Sequence, residues 1–418
     1  MTDGVLSVIL FSGSENCLKK NRKWSEKDGK EKQMSNFKDL SCFLEESMKV
    51  GPLGNGCAVA RDGEILFEEY HGFADREKKI PMSQESVFRQ FSTTKLVTST
   101  AGLMLYERGK FLLNDPLYEY FPEWKHTMVA ETQADGNVVI RPANRPILIR
   151  DCFSMAMGIG YGGEDYTHQM LQKVREDLRR DVGDYTLRQE VRAISSIPVA
   201  FDPGTRWRYG VGLDLVAALI EEVSGKRLSE FMREEIFEPL GMKDTGHHYF
   251  GNVRDRMVTV YELQDAGEPK ALPGYEDDEN FEPDAKYEGG GVGLFSTVRD
   301  YIAFTQMLAC GGVYKGERII GRKTIDLMRT NQLNDQQLKD FYSPYLEGYG
   351  YGLGVRTLLK PAAGVNASPG EFGWTGMLGT YVSIDPSEKL SIVYMHNLVP
   401  NKEAYIHPRI RNIVYGSL

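Results

Sequence analysis

Between residues 37 and 48 the apolar side chains Phe37, Leu40, Phe43, Leu44 and Met48 fall at helical spacing, and Gly51-Pro52-Leu53-Gly54 stops the run. A first helix is predicted there. The period then changes to two: Cys57-Ala58-Val59-Ala60 and Ile65-Leu66-Phe67-Glu68-Glu69-Tyr70 flank Asp62-Gly63, and Asp-Gly between strand-like runs predicts an antiparallel hairpin. Leu96, Val97, Ala101, Leu103, Met104 and Leu105 leave no polar face before Arg108-Gly109, the pattern of a helix buried all round. Helical periodicity returns over 149–155, 169–180, 187–195, 213–223 (closed by Gly225) and 228–237 (stopped by Pro239-Leu240-Gly241), and again over 297–308. Residues 265–285 are acidic and contain proline, which predicts an exposed connection. In the last third, strands are predicted over 349–355, 372–376, 380–384 and 390–396, with Asp385-Pro386-Ser387-Glu388 as a turn.

These elements imply an α+β fold, with an antiparallel sheet drawn from both chain ends, flanked by helices, and a mainly helical lobe inserted between. The expected division is a flexible leader over 1–36 and one domain over 37–418. Within that domain the sheet lobe takes about 37–112 and 286–418 and the helical lobe about 113–285. The leader carries Lys19, Lys20, Arg22, Lys23, Lys27, Lys30 and Lys32 without apolar periodicity and reads as a solvated tail.

Composition narrows the function classes. The 418 residues are 41% hydrophobic, 26% charged and 11% aromatic, as in an ordinary soluble protein with a substantial core. A net charge of −9 and the lack of a basic patch with interleaved aromatics argue against a nucleic-acid surface. No stretch nears the ~20 apolar residues of a membrane span. The short apolar run 5–11 lacks a basic flank and a cleavage site. Five scattered cysteines (Cys17, Cys42, Cys57, Cys152, Cys310) show no C-x-x-C spacing, so reduced thiols and a cytoplasmic location are expected, without a zinc site.

The chemistry concentrates at Ser92-Thr93-Thr94-Lys95. An i, i+3 pair shares one helical face, so a serine opening a buried helix can meet the lysine amine. The free N–H groups of the first turn then face developing negative charge. That is the arrangement of an activated nucleophile. Other candidates are weaker. Gly289-Gly290-Gly291 lacks the following lysine of a phosphate loop and reads as backbone accommodation. Adjacent His247 and His248 point apart on any regular element and are expected on a surface loop, and His396 reads as structural. Asp214 and Glu222 lie on a helix without a paired carboxylate and read as solvated or capping groups.

Ser92-Thr93-Thr94-Lys95, Tyr209 and Trp374-Thr375-Gly376 together resemble the three boxes of the serine β-lactamase and penicillin-binding protein superfamily. The segments 88–124, 145–151, 290–327 and 370–386 are most similar to class C-type β-lactamases and family VIII carboxylesterases. The resemblance covers roughly residues 37–400. It implies that Ser92 is acylated, that Lys95 takes or relays its proton and that Tyr209 is a partner base or acid. The N–H groups of Ser92 and Met377 would hold the oxyanion, and Trp374, Thr375, Gly376, Tyr161 and Trp207 would line the substrate site. No cofactor or metal is implied.

Two departures shape the expected substrate. Tyr209 is followed by Gly210-Val211, where lactamases of this class carry an asparagine, and the third box begins with Trp374, where they carry lysine. A substrate carboxylate thereby loses its cationic partner. The usual His-Thr-Ser-Gly run is also replaced, by Met155-Ala156-Met157-Gly158. A small ester or amide hydrolase acting through an acyl-enzyme is expected. The alternatives are a β-lactamase, a D-amino-acid peptidase or an acyltransferase of the same superfamily, or a catalytically inactive binding module. Oligomeric state and physiological substrate are not readable from the residues.

Overall fold

The computed structural model describes residues 37–265, 267–275, 278–361 and 364–418; the leader expected over 1–36 lies outside the described residues. At the centre is an eight-stranded antiparallel sheet. Its order is Tyr349–Tyr351, Arg356–Leu358, Phe372–Thr375, Tyr381–Asp385, Leu390–Met395, Gly54–Arg61, Glu64–Asp75, Ile80–Pro81. The early hairpin thus pairs with the last long strand, Gly56 opposite Met395 and Ala60 opposite Ser391, and both chain ends build one sheet. Asp62 and Gly63 both adopt positive φ, +51° and +88°, as a two-residue hairpin turn requires.

Alternation along these strands divides the sheet into two faces. Cys57, Val59, Ile392 and Tyr394 pack against Leu40, Leu44, Ile406, Ile410 and Val414, from the helices Lys38–Ser47 and Glu403–Gly416. Ala58, Ala60, Val393 and Met395 join the main core on the opposite face, where the helix Val298–Ala309 lies across the strands. That core runs on through the central helix Thr94–Glu107 into the helix Gly212–Ser224. Residues 94–105 are buried without a break, so the central helix is enclosed, as its pattern predicted.

Several local expectations need correcting. The run 349–355 is not one strand: Tyr349–Tyr351 ends at Gly352, and the chain reverses through Gly354, at φ +83°, into Arg356–Leu358. A side chain at 354 would strike the Ser99 Oγ at 1.9 Å, so the reversal needs glycine. A hairpin, Met128–Thr132 with Val138–Pro142, interrupts the helical region. The 265–285 connection is tied down rather than exposed throughout. Its Phe281 is buried against Phe295, and Asp278 forms a two-pronged pair with the buried Arg89 guanidinium, at 2.7 and 2.5 Å. Cys57, Cys152 and Cys310 are free thiols, but Cys42 is disulfide-bonded, against the expectation of reduced thiols throughout. Among the described residues no helix is long and apolar enough to cross a membrane.

Candidate active site

Ser92 sits in a single 3₁₀ turn, Phe91–Thr93, that runs directly into the central helix. The preceding Phe91 adopts φ +44°, a left-handed conformation costly for a bulky residue. It is held there by packing on Val260 and Leu378 and by an edge-on contact with Tyr275. The buried Tyr301 hydroxyl donates to the Thr93 carbonyl at 2.7 Å, so the turn is fixed from the sheet side as well.

Lys95 is fully buried. Its Nζ donates to Ser92 Oγ at 3.3 Å and to the Gly291 carbonyl at 2.8 Å. Two aromatic faces enclose the amine: the Tyr161 ring centre lies 4.8 Å away and the Tyr209 ring centre 4.7 Å. The three sequence-predicted residues Ser92, Lys95 and Tyr209 therefore converge. Among the described residues, no hydrogen bond joins the Tyr209 oxygen to Ser92 or Lys95. That oxygen instead accepts the Trp374 indole N–H at 2.9 Å.

The third box is the edge of the strand Phe372–Thr375, followed by a tight turn in which Gly376 N–H donates to the Thr380 carbonyl. A Cβ at 376 would lie 2.1 Å from Thr380 Oγ1 and 2.5 Å from the Gln90 carbonyl oxygen, so only glycine lets this turn close on the segment before Ser92. Thr380 Oγ1 donates to that same Gln90 carbonyl at 3.1 Å and lies 3.3 Å from Thr93 Oγ1. Met377, next in line, has a half-exposed side chain. Trp207 stacks 6.2 Å from Tyr209 and packs edge-on against Phe341 and Tyr351, which makes it the rear support of the Tyr209 ring. Trp374 packs on Tyr209 and on Tyr351.

Asp214 needs reassigning. It is 2% exposed, in the first turn of Gly212–Ser224, and is neither solvated nor a helix cap. Its Oδ1 accepts the Gly291 N–H at 2.8 Å and its Oδ2 the Tyr161 hydroxyl at 2.9 Å. Burial, then the Asp214 charge and the neighbouring Tyr209, hold the Tyr161 phenol well above its ordinary value, so it remains a donor. Glu222, on the same helix, is exposed. The Gly289-Gly290-Gly291 run provides the backbone accommodation its composition predicted. A Cβ at 290 would meet the Leu213 carbonyl at 2.4 Å, and one at 291 the Tyr161 hydroxyl at 2.2 Å.

His247 is buried rather than on a surface loop, and burial pushes it down to about 4. His248 is bonded to the buried Glu288 carboxylate at 2.9 Å. Burial likewise pushes His396 down to about 3, and its Nδ1 lies 3.0 Å from the Tyr394 hydroxyl. Among the described residues no group of three or more His, Cys, Asp or Glu is placed to hold a metal ion. Beside the site, a cavity of about 720 Å³ is bordered by Tyr161, Asp214, Glu190, Tyr287, Val292 and Gly293.

The family model described as "Beta-lactamase" matches residues 44–415. An uncharacterised protein of Mycobacterium tuberculosis is 28% identical over 376 residues, covering 86% of this chain and 89% of the relative. Esterase EstB of Burkholderia gladioli is 25% identical over 376 residues, with the same shares. Among solved structures, EstCE1, described as a hydrolase with promiscuous acyltransferase activity, superposes with a TM-score of 0.76 at 23% identity, covering 92% of this chain and 99% of that one.

Proposed function

The chain belongs to the beta-lactamase family, and on that premise we propose that it is a serine hydrolase cleaving small uncharged esters or amides through an acyl-enzyme on Ser92. The observation that carries this reading is the contact of Lys95 Nζ with Ser92 Oγ at 3.3 Å inside an aromatic enclosure, at the start of a rigid buried helix.

In the forward step Ser92 Oγ attacks the acyl carbon, and its proton passes to Lys95, with Tyr209 as the partner that relays it to the leaving group. The tetrahedral oxygen takes the negative charge and is received by the N–H groups of Ser92 and Met377. The bond to the leaving alcohol or amine then breaks, the proton goes with it, and the acyl group stays on Oγ. Attack by water releases the acid, while attack by a second alcohol would complete an acyl transfer. The description of EstCE1 as a hydrolase with acyltransferase activity supports keeping both outcomes.

The preference for an uncharged substrate rests on the third box. Trp374 supplies an indole where a lactamase-like site supplies an ammonium, and its N–H is already committed to Tyr209. Beyond Thr375, the Tyr345 hydroxyl donates to Glu403 at 3.2 Å. A substrate carboxylate at this box position would find no cation on Trp374 and no free indole N–H. EstB, an esterase by name, supports the same assignment.

The deciding experiment is intact mass after incubation with a fluorophosphonate. One phosphonyl adduct is expected on the wild-type chain, none on Ser92→Ala, and a strongly slowed reaction on Lys95→Ala. Labelling that survives in Ser92→Ala places the nucleophile elsewhere.

A further inference from the structure

We infer that Asp214 is a positioning residue for the Ser92–Lys95 pair, acting through the Gly291 backbone and the Tyr161 phenol. The inference rests on the serine-hydrolase reading above and concerns how that site is held.

Lys95 is a long, unbranched side chain whose amine must point at one oxygen, and its stem alone does not fix that direction. Apart from Ser92, three groups surround it, the Tyr209 ring at 4.7 Å and two others that lead to one carboxylate. The Gly291 carbonyl accepts one N–H at 2.8 Å, and the Tyr161 ring lies 4.8 Å from Nζ. Both end on the same carboxylate, Gly291 through its own N–H on Oδ1 and Tyr161 through its hydroxyl on Oδ2. One buried side chain therefore sets two of the three walls around the amine, which with the Tyr209 ring leave it facing Ser92 Oγ. Asp214 itself is held rigidly by the first turn of Gly212–Ser224, its N–H bonded to the Val211 carbonyl.

The packing shows how little slack the arrangement has. A Cβ at 291 would stand 2.2 Å from the Tyr161 hydroxyl, 3.1 Å from Lys95 Nζ and 3.3 Å from Asp214 Oδ1, so all three groups crowd onto one peptide unit. Tyr161 is tied to the partner tyrosine as well: its N–H donates to the Tyr209 carbonyl, and the two rings lie edge to face at 5.5 Å. Asp214 thus also bears on where Tyr209 sits. Neither Asp214 nor Tyr161 needs to touch the reacting atoms for this. Displacing a catalytic group by about 1 Å is enough to cost up to about a hundredfold in rate.

The test is a double-mutant cycle of Asp214→Asn and Tyr161→Phe, with Glu222→Gln on the exposed face of the same helix as control. The rate of fluorophosphonate labelling, kcat and KM on p-nitrophenyl acetate, and the urea midpoint are measured for each. Asp214→Asn is expected to lower kcat and the labelling rate about 10- to 100-fold with KM nearly unchanged. Tyr161→Phe is expected to cost less, and to add little in the Asn background, because the two changes break one connection. Glu222→Gln should match wild type. If Asp214→Asn does not fold, Tyr161→Phe decides alone: a lowered kcat at constant KM supports the inference and an unchanged kcat overturns it. Equal labelling of wild type and a folded Asp214→Asn overturns it while leaving the hydrolase reading intact. A wild-type chain that does not label at Ser92 overturns both.

Discussion

Trp374 donates its one polar hydrogen to the Tyr209 oxygen, at 2.9 Å, and under the proposed function this side chain would set what the mouth of the site recognises. An ammonium at the same place would offer a mobile cation to a carboxylate, and a hydrogen bond to a charged group contributes about 1.5–3 kcal/mol. Trp374→Lys is therefore expected to move the ratio of kcat/KM for nitrocefin over p-nitrophenyl acetate about tenfold toward the β-lactam. Steady-state kinetics on the two substrates check it, and an unmoved ratio would mean that the box position does not face the substrate carboxylate. At this scale the convergence of Ser92, Lys95, Tyr209 and Trp374 was legible, Ser92 with Lys95 from their i, i+3 spacing and Tyr209 and Trp374 from the resemblance alone. Asp214 was not. Its two partners lie 53 and 77 positions away in the chain, and a carboxylate in the first turn of a helix has a more ordinary use beside the helix dipole. His247 was misplaced for a related reason, since its neighbours are glycines of the 289–293 turn, which no local pattern announces.

The turn at 289–293 is the element on which the helical side of the site depends, and two of its glycines separate packing from function. Neither Gly290 nor Gly291 has a positive φ, so alanine is tolerated by the backbone and only the space around Cβ matters. At 290 the new methyl would meet the Leu213 carbonyl oxygen and the Ala217 Cβ, both at 2.4 Å. Helix backbone cannot step aside, and Gly290→Ala should cost roughly 1–3 kcal/mol of stability. At 291 the obstacles are side-chain ends, the Tyr161 hydroxyl and Lys95 Nζ, which can give more readily than helix backbone but not without losing their aim. Gly291→Ala should keep its urea midpoint near wild type and label with fluorophosphonate about tenfold more slowly; the reverse pattern would show that the turn has been misread. Elements of this size were legible where composition and geometry coincide. Asp62-Gly63 announced the first hairpin, and Asp135-Gly136 carried the same signal for the second, where Gly136 adopts φ +85°, yet it stood inside a region read as helical. The break at 352–354 was hidden because Tyr349 to Val355 alternates apolar residues with glycine as a strand can, and nothing local marks Gly354 as the glycine that takes a positive φ beside Ser99.

Across the whole molecule the fold class was legible because strand patterns stood at both chain ends around a helical middle, and Gly56 opposite Met395 shows the two ends pairing edge to edge in one sheet. What sequence could not supply is the balance of buried charge that holds the helical and sheet elements together, and two carboxyls make it measurable. Glu288 lies directly before the glycine turn and is 1% exposed. Burial opposes its ionisation, but bonds from His248 and from the Ser229 N–H and hydroxyl outweigh it and draw it down to about 2 from 4.5. Its stabilisation is therefore complete above 4.5 and is lost as pH falls from there to about 2. Asp300 has the opposite sign. Burial pushes it up to about 6 despite donors from the Asp244 N–H and the Thr245 hydroxyl, so its contribution is complete below 3.8 and is lost as pH rises to about 6. At pH 7 Glu288→Gln should destabilise by roughly 3 kcal/mol, taken from the size of the shift at about 1.4 kcal/mol per unit. Asp300→Asn, which copies the neutral acid, should gain stability relative to wild type between pH 4 and pH 7. Urea midpoints at the two pH values decide the matter: the Glu288→Gln deficit must shrink on acidification while the Asp300→Asn advantage disappears. Parallel profiles for the three chains would mean that neither carboxyl changes its proton affinity on folding.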